Sequence, residues 1–542
     1  MVVINFTKGD LLGLLKKEMS NEEIEEALFF LKCETEWEGE NIEAELNPDR
    51  PDMYSVEGCA RAMKTFVGDE KGMPKYTMSD SNLSLRNEDV TVRPLIGCAV
   101  INNVELSDEL VKSLMQLQEK LHGGIGRGRK KAAIGVHDLD RMKGKLIYRE
   151  VDPEKVKFVA LGETKEMFLK EILEVNPKGK EFKHLLEQEK SYPVIVDDYG
   201  VVSLPPIINS ERTRVSDKTK NLFIEVTGTD EKAVMYSLNI VVTNIIERTG
   251  ELKSVKVDRK KYPNLEPQQW EVEVSEANRV LGFDLDADEI GDALERMGHT
   301  VLKHKGGKIS VSVAPYRSDI MHEIDLIEDI AIGFGYNNIE PIVPKSPSIG
   351  KLSKKETYSE KIRELMIGLD MQEYVGFILS NKNDLFDKMN INKKDVVELL
   401  NPVTIEYDVC RSWLVPSVMK MLVANKHRIY PQKVFEIGDI VVIDEEYETR
   451  ARNVRKLCGA ITHDKANLTE IKAVLESVLA NLDVEYEIKP VSHGSFIDSR
   501  CGEVLVDGKN VGLFGEVHPK VLENWKLEKA VVVFELDLEN II

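Results

Sequence analysis

Apolar positions recur along this chain with two periods, and the switches between them divide it into regions. Residues 1–90 begin with a strand-like run, then a helix in LLGLLKKEM. The segment Asn47-Pro48-Asp49-Arg50-Pro51-Asp52-Met53 reads as a turn from its two prolines and its Asn/Asp content, and Ser55 is a suitable N-cap for the helix after it. The polar stretch GMPKYTMSDSNLS reads as a linker. Residues 91–265 alternate short apolar runs with helical stretches. Pro94 to Ile101, Val194 to Val196, Val201-Val202 and Leu222 to Val226 read as strands, and Ser107 to Leu121 and Ala233 to Thr249 as helices, which predicts a mixed α/β domain.

Residues 266–342 are more legible. Asp286-Ala287-Asp288-Glu289 has the spacing of a capping box, Ile290, Leu294 and Met297 follow at helical intervals, and Gly298 stops the helix. Lys308 to Val313 alternates strictly, as a half-buried strand does, and Gly306-Gly307 supplies a hairpin turn before it. With a second helix from about Met321, this predicts a small winged-helix-like unit. Residues 343–542 again mix helices, such as Ser359 to Gly368, with strand candidates at Tyr374 to Leu379, Lys433 to Phe435, Val504 to Val506 and Ala530 to Glu535, the last of which is expected to close a sheet.

Composition narrows the function classes. With 542 residues, three or four domains are expected. Hydrophobic residues at 42% and charged residues at 31% describe a globular chain. No apolar run approaches the ~18 residues needed to cross a bilayer, and the N-terminus lacks the features of a signal peptide, so a cytoplasmic location without membrane contact is expected. The six cysteines show no Cys-x-x-Cys pair and are expected to be reduced and mostly buried. A net charge of −21 argues against coating nucleic acid by bulk electrostatics. Local RNA contact is left to the one basic cluster, Arg127, Arg129, Lys130 and Lys131 in HGGIGRGRKK, whose plain alternative is a solvated glycine-rich loop.

Two polar constellations carry candidate chemistry. In YRSDIMHEIDLIEDI, a helix from Met321 to about Ile332 puts Asp325, Glu328 and Asp329 on one face, with Asp319 just before it. Clustered carboxylate oxygens suit Mg²⁺; the plain alternative is a solvated acidic face with Asp319 as N-cap. In SLPPIINSERTRVSDKTKNLFIEVTGTD, Pro205-Pro206 stiffens a loop, and Asn209, Ser210, Glu211 and Thr213 follow it. Glu225 and Thr227 alternate with Ile224 and Val226 and so point to the opposite face of their strand. His137 lies just after the basic cluster. For Glu225 the alternative is an exposed strand residue; for His137, a structural hydrogen bonder.

Four blocks, in order and spread over nearly the whole chain, resemble the β subunit of phenylalanyl-tRNA synthetase in its shorter archaeal and eukaryotic layout. They are NPDRPDMYSVEGCARA, VAPYRSDIMHEIDLIEDIAIGFGYNNI, NPVTIEYDVCRSWLVPSVMKMLVANKHR followed by VFEIGDIV, and GEVHPKVLENW followed by VVFELDLENI. The resemblance implies a multidomain α/β and α+β chain. Its parts would be an N-terminal α+β domain (1–90), a mixed α/β editing domain (91–265), a winged-helix-like domain ending in an acidic helix (266–342) and a degenerate class II synthetase-like antiparallel-sheet module (343–542). It implies Mg²⁺ on Asp319, Asp325, Glu328 and Asp329, close to a partner contact. It further implies hydrolysis of mischarged Tyr-tRNA(Phe), with Glu225 accepting the tyrosine hydroxyl and His137 orienting substrate or water. Asn209, Glu211, Thr213, Thr227, Arg127, Arg129 and Lys130 would contact substrate or tRNA.

Amino-acid activation is expected elsewhere. Class II synthetases hold ATP with arginines of an Arg-x-Glu and a Gly-x-Gly-x-x-Arg signature, and the C-terminal module shows neither in the expected place. Gly124 to Arg129 fits the second pattern in the wrong domain, and short glycine patterns match by chance often. ATP and phenylalanine would therefore bind a catalytic α subunit, in an α₂β₂ assembly acting on tRNA(Phe). Trp413, Leu414, Val418, Met421 and Leu422 would offer apolar area for that pairing, or form the module's own core. Two other readings are a scaffold and tRNA-docking subunit with an inactive editing site, and a free-standing nucleic-acid-binding protein; the acidic balance weighs against the second.

Overall fold

The computed structural model describes residues 2–345 and 348–541, in two compact units, Met1–Ile342 and Val343–Ile542. In the first, the antiparallel strands Val2–Thr7, Asn41–Leu46 and Cys33–Glu38 form a small sheet with Asn41–Leu46 in the middle. A capping box starts the helix Asn21–Phe30: the Ser20 side chain accepts from Glu23 N–H while the Glu23 carboxylate accepts from Ser20 N–H. Ser55 caps the helix Val56–Phe66 as its sequence predicts, accepting from Gly58 N–H.

The expected linker contains a strand. Ser79–Asn87 pairs in parallel with both Glu251–Val257 and Leu146–Val151, so it belongs to the large sheet. Its mostly exposed, polar side chains hide it from periodicity; neighbouring backbones define it. The boundary at 90 is therefore not a physical one. One core runs from Ile4 through Phe66, Ile101 and Ile224 to Ile332, joining regions that the sequence suggests as separate domains. Polar bonds reinforce the join: Arg61 donates to Asn244 Oδ1 at 2.9 Å, and Arg248 pairs with Asp10 at 2.6 Å.

That large sheet has ten strands. Along its main path the order is Ile208–Asn209, Gly200–Leu204, Tyr192–Asp197, Leu146–Val151, Ser79–Asn87, Glu251–Val257, Leu95–Asn102, Leu222–Gly228 and Ala132–Asp138. In a flat sheet the two end strands would lie on the order of 40 Å apart, at about 4.8 Å per step. Instead Asn209 Nδ2 donates to Val136 O at 3.2 Å and Ser203 Oγ donates to Glu225 Oε1 at 3.2 Å. The sheet therefore curls until its ends approach, and both faces of Leu222–Gly228 are buried.

The elements expected of a winged-helix-like unit are present between Gln268 and Phe334. Lys308–Val313 lies between Gln268–Glu273 and Thr300–Lys305. Gly306 and Gly307 turn the hairpin at φ +62° and +77°, which L side chains rarely adopt. The Asp286 capping box starts the helix Ala287–Arg296, which packs with Glu323–Phe334.

The second unit holds a seven-stranded, mainly antiparallel sheet ordered Gln372–Glu373, Gln432–Ile443, Ala451–His463, Ala530–Asp537, Lys509–Val517, Phe496–Val506 and Glu487–Pro490. Ala530–Asp537, expected to close the sheet, is an inner strand flanked on both sides. Tyr374 to Leu379 is not a strand: pairing is confined to Gln372–Glu373 and to Leu379–Ser380 with Val409–Cys410. Its apolar run faces outward instead, with Phe377 76% exposed. Trp413, Leu414, Val418 and Leu422 are buried in the unit's own core with Met421 against it, so the apolar area expected there for pairing is internal. All six cysteines are free. No described helix is long and apolar enough to cross a membrane.

Phe534, fully buried on the inner strand, lies over Gly459, where an added Cβ would come within 2.4 Å of its ring. Phe534→Ala is expected to destabilise the C-terminal unit by about 3–5 kcal/mol, read by denaturant unfolding with probes in that unit.

Candidate functional site

The curl of the large sheet encloses a cavity of about 460 Å³, within the range of small-molecule pockets. Its wall combines residues from both ends of the strand order: Ala133 and Ile134, Ser203, Ile208 and Asn209, and Glu225. The loop Pro205–Ile207, the helix end at Glu119 and His122, Arg129, and the segments Leu161 to Glu163 and Asn176 to Lys178 also line it.

Glu225 is the central group. It is 2% exposed, which rules out a solvated strand residue. Its Oε1 accepts from Ser203 Oγ at 3.2 Å, while Oε2 has no hydrogen-bond partner. A buried carboxylate oxygen without a donor is costly, by about 1–3 kcal/mol or more. Gly135 makes room for it: a Cβ there would lie 2.4 Å from Glu225 Oε1 and 2.9 Å from His137 Nε2.

His137 sits behind Glu225 and does not line the cavity. Its Nδ1 is 2.9 Å from Thr213 Oγ1, and that hydroxyl has Ser210 O at 3.3 Å as an acceptor. Nδ1 therefore acts as donor, and Nε2 faces Glu225 Oε1 at 3.9 Å. Thr213, His137 and Glu225 are all buried, and Nε2 has no hydrogen-bond partner, so no hydrogen bond joins the ring to Glu225.

The remaining residues singled out from sequence divide. Asn209 lines the cavity and bridges the curled sheet. Glu211 turns away: its carboxylate accepts from Gly162 N–H at 2.8 Å and pairs with Arg214 at 3.3 Å. Thr227 is buried beyond the cavity wall, where its hydroxyl and carbonyl accept from Arg93. In the basic loop, Arg127 and Lys130 are exposed, but Arg129 is 7% exposed. Its guanidinium donates to Pro206 O, Ile207 O and Glu119, and lies 4.1 Å from the Phe182 ring centre. Arg129 thus holds the cavity loop in place and is not free to meet a phosphate. The loop itself is ordered by backbone bonds from Gly126, Gly128 and Lys131 N–H.

Three residues that shape the cavity escaped the sequence reading. Ser203 and His122 carry no local pattern, because their partners lie far along the chain. Gly135 could have been found, since a glycine inside a strand marks a close approach.

The acidic helix is placed as expected, but its carboxylates are occupied. Asp319, Asp325, Glu328 and Asp329 all line a second cavity of about 320 Å³. Arg317 donates to Asp319 at 2.7 Å and to Asp329 at 2.6 Å, and His299 Nε2 is 2.7 Å from Asp329. Asp325 Oδ2 accepts from Met321 and His322 N–H and so caps its own helix, and Glu328 pairs with Lys32 at 2.7 Å. Burial alone would raise the Asp329 carboxyl; Arg317 and His299 outweigh it and hold the group well below the usual range. Among the described residues no group of three or more His, Cys, Asp or Glu side chains is arranged to hold a metal ion. Mg²⁺ needs several oxygens around one point; here an arginine and a lysine take those oxygens, so the four carboxylates as arranged do not fit that ion.

Comparison with known proteins finds family matches in three parts of the chain. Residues 339–538 match the phenylalanyl tRNA synthetase beta chain CLM domain, 270–336 the tRNA synthetase B5 domain, and 118–244 the B3/4 domain. The chain is 42% identical over 550 residues to the phenylalanine–tRNA ligase beta subunit of Methanocaldococcus jannaschii, covering 99% of this chain and 100% of that one. With that of Thermococcus sibiricus it is 40% identical over 552 residues, covering 99% and 98%. The N-terminal fragment of the phenylalanyl-tRNA synthetase beta subunit from Pyrococcus horikoshii superposes with a TM-score of 0.59 at 36% identity, over 62% of this chain and all of that one. Near-complete coverage at such identity is decisive: the chain belongs to the phenylalanine–tRNA ligase β-subunit family.

Proposed function

We propose that this β subunit hydrolyses tyrosyl esters of tRNA(Phe) in the cavity beneath Glu225, and that phenylalanine is activated on an α partner in an α₂β₂ assembly. One observation carries the first part: Glu225 presents a buried carboxylate oxygen without a partner to a cavity large enough for an aromatic amino acid. A phenylalanine pocket cannot strongly reject an analogue that merely adds a hydroxyl, giving about 10²-fold discrimination. A second pocket that needs the hydroxyl reverses the selection. Tyrosine donates its phenolic O–H to Glu225 Oε2, whereas phenylalanine leaves that oxygen unsatisfied and is released intact.

The chain's own part in the reaction is positioning. Ser203 fixes one oxygen of Glu225 and leaves the other for the substrate. Asn209 and the loop Pro205–Ile207, held by Arg129, shape the wall. No Ser/His/Asp arrangement lines the cavity, so hydrolysis uses a water held by backbone groups and a ribose hydroxyl of the bound RNA. Arg127 and Lys130, exposed on either side of the cavity-lining Arg129, supply positive charge for the RNA strand.

The β-subunit designation of the relatives implies an α partner in a heteromeric synthetase. Phe377, Leu400, Val403 and Ile405 are each more than three-quarters exposed in the C-terminal unit. Exposed apolar groups of that kind mark interaction sites, and we assign them to the α subunit.

The four carboxylates around Arg317 and Lys32 are ion-pair and cap acceptors as they stand. For Mg²⁺ to enter, Glu328 and Asp325, the less buried pair, would have to leave Lys32 and the helix cap. Manganese titration of the assembled enzyme, read by paramagnetic resonance, decides this: a tenfold or greater affinity loss in Glu328→Gln supports a metal site there, and unchanged binding removes it. Asp329 differs. Its removal takes one of the two carboxylates from Arg317, which keeps Asp319, and the carboxylate partner from His299, and is expected to cost about 1–3 kcal/mol with or without metal, whereas Glu328→Gln costs at most about 1 kcal/mol. Because the folded-state pKa of Asp329 is depressed, its contribution is full above about pH 4 and fades as pH falls further; acid unfolding of Asp329→Asn beside the parent measures it.

For Glu225→Gln in the assembled enzyme, clearance of Tyr-tRNA(Phe) is expected to fall by at least about 10²-fold, measured by deacylation of purified Tyr-tRNA(Phe). Parent-like clearance would exclude Glu225, and no clearance by the parent itself would leave the chain a scaffold with an inactive site.

A further inference from the structure

Besides Glu225 Oε2, the cavity lining holds two buried polar atoms without a partner, His122 Nδ1 and Arg129 Nε, both of them donors; the Arg129 guanidinium is already fixed to the Pro206 and Ile207 carbonyls and to Glu119. His122 lies at the end of the helix Asp108–Gly123, is 6% exposed, and lines the same cavity. Its Nε2 accepts the backbone N–H of Ile134 at 2.9 Å, so that nitrogen carries a lone pair. In the neutral ring the proton then resides on Nδ1. Nδ1 is buried and has no hydrogen-bond partner; the nearest acidic oxygen, Glu119 Oε1, is 4.0 Å away. The imidazole thus holds one N–H donor without a hydrogen-bond partner in a residue of the cavity wall, and cannot rotate to hide it without breaking its bond to Ile134.

His122 and Glu225 are both organised by adjacent residues of one strand. Ile134 N–H holds the imidazole, and Gly135, the next residue, faces Glu225 across the strand pair. An unpaired acceptor and the unpaired donor His122 Nδ1 on one cavity wall make the complement of a phenolic hydroxyl, which donates one hydrogen and accepts through its lone pairs. A site that answers only the O–H leaves the phenol oxygen unsatisfied, and a site that supplies both partners rejects the analogue lacking the hydroxyl most strongly. Burial pushes the His122 imidazolium towards deprotonation, in keeping with the neutral ring.

We infer that His122 is a specificity-determining residue of the hydrolytic site, donating Nδ1–H to the phenol oxygen of the tyrosyl group while Glu225 accepts its O–H. The inference rests on the hydrolytic reading of the cavity and adds the second half of hydroxyl recognition to it. It assigns no proton transfer to His122.

The test uses the enzyme assembled with its α subunit and compares deacylation of Tyr-tRNA(Phe) with that of Phe-tRNA(Phe). His122→Leu removes the donor and is expected to lower kcat/KM for the tyrosyl ester by about 10–100-fold, leaving the slow phenylalanyl rate within about twofold of the parent. His122→Gln, whose Oε1 can accept from Ile134 N–H while its NH₂ donates, is expected to recover most of the preference. Equal loss on both esters in His122→Leu, or failure of His122→Gln to recover the preference when its melting curve matches the parent's, would overturn the inference. So would an unchanged tyrosyl preference in His122→Leu. If the parent clears Tyr-tRNA(Phe) and Glu225→Gln does not, any of these results removes His122 alone; a parent that clears nothing removes the hydrolytic reading itself.

Discussion

A carboxylate taken out of water must be met by cations or donors, and this chain meets that demand in two opposite ways. Around Arg317 the demand is fully answered: Asp319 and Asp329 share one guanidinium, His299 adds a ring nitrogen to Asp329, and nearby Arg50 pairs with the buried Asp52. Around Glu225 it is left half answered, with one oxygen held by Ser203 and the other facing a cavity. Removing Arg317 from the first arrangement would leave two carboxylates without their shared cation; the second leaves one oxygen without a donor at rest, a defect that a ligand can relieve by supplying one.

Supporting that defect is a task for the surrounding fold. The large sheet must curl far enough for Ser203 to reach Glu225, Gly135 must lack a side chain, and His137 must be anchored by Thr213. The basic loop contributes from outside, since Arg129 fastens the Pro206 and Ile207 carbonyls that form one wall. The N-terminal strands and the winged-helix-like unit share the core beneath this sheet, so the site rests on one packed body drawn from the first 342 residues.

The acidic helix shows how residue type and residue role separate. Its four carboxylates lie around one cavity, as helical spacing predicts, yet their partners are Arg317, His299, Lys32 and two backbone amides. Hard oxygen ligands and buried ion-pair acceptors are the same side chains; only what stands opposite distinguishes them. The C-terminal unit repeats the point with apolar residues. Trp413, Leu414, Val418 and Leu422 fill its core, while Phe377, Leu400, Val403 and Ile405 face outward.

Local rules sufficed wherever the partners lie within a few residues. The Asp286 capping box, the Ser55 cap, the Gly306-Gly307 turn and the alternation of Lys308 to Val313 were all readable, because each closes its bonds within one turn or one hairpin. The order of family blocks was readable too, and with it the assignment of the chain. Only the tertiary structure decided that Ser79–Asn87 is a strand, that Ala530–Asp537 is an inner one, that Ser203 and Gly135 meet Glu225, and that His122 lines the same cavity. Those outcomes depend on hydrogen bonds and close approaches between segments tens of residues apart, and no pattern within a short stretch of chain encodes which distant backbone or carboxylate will stand opposite.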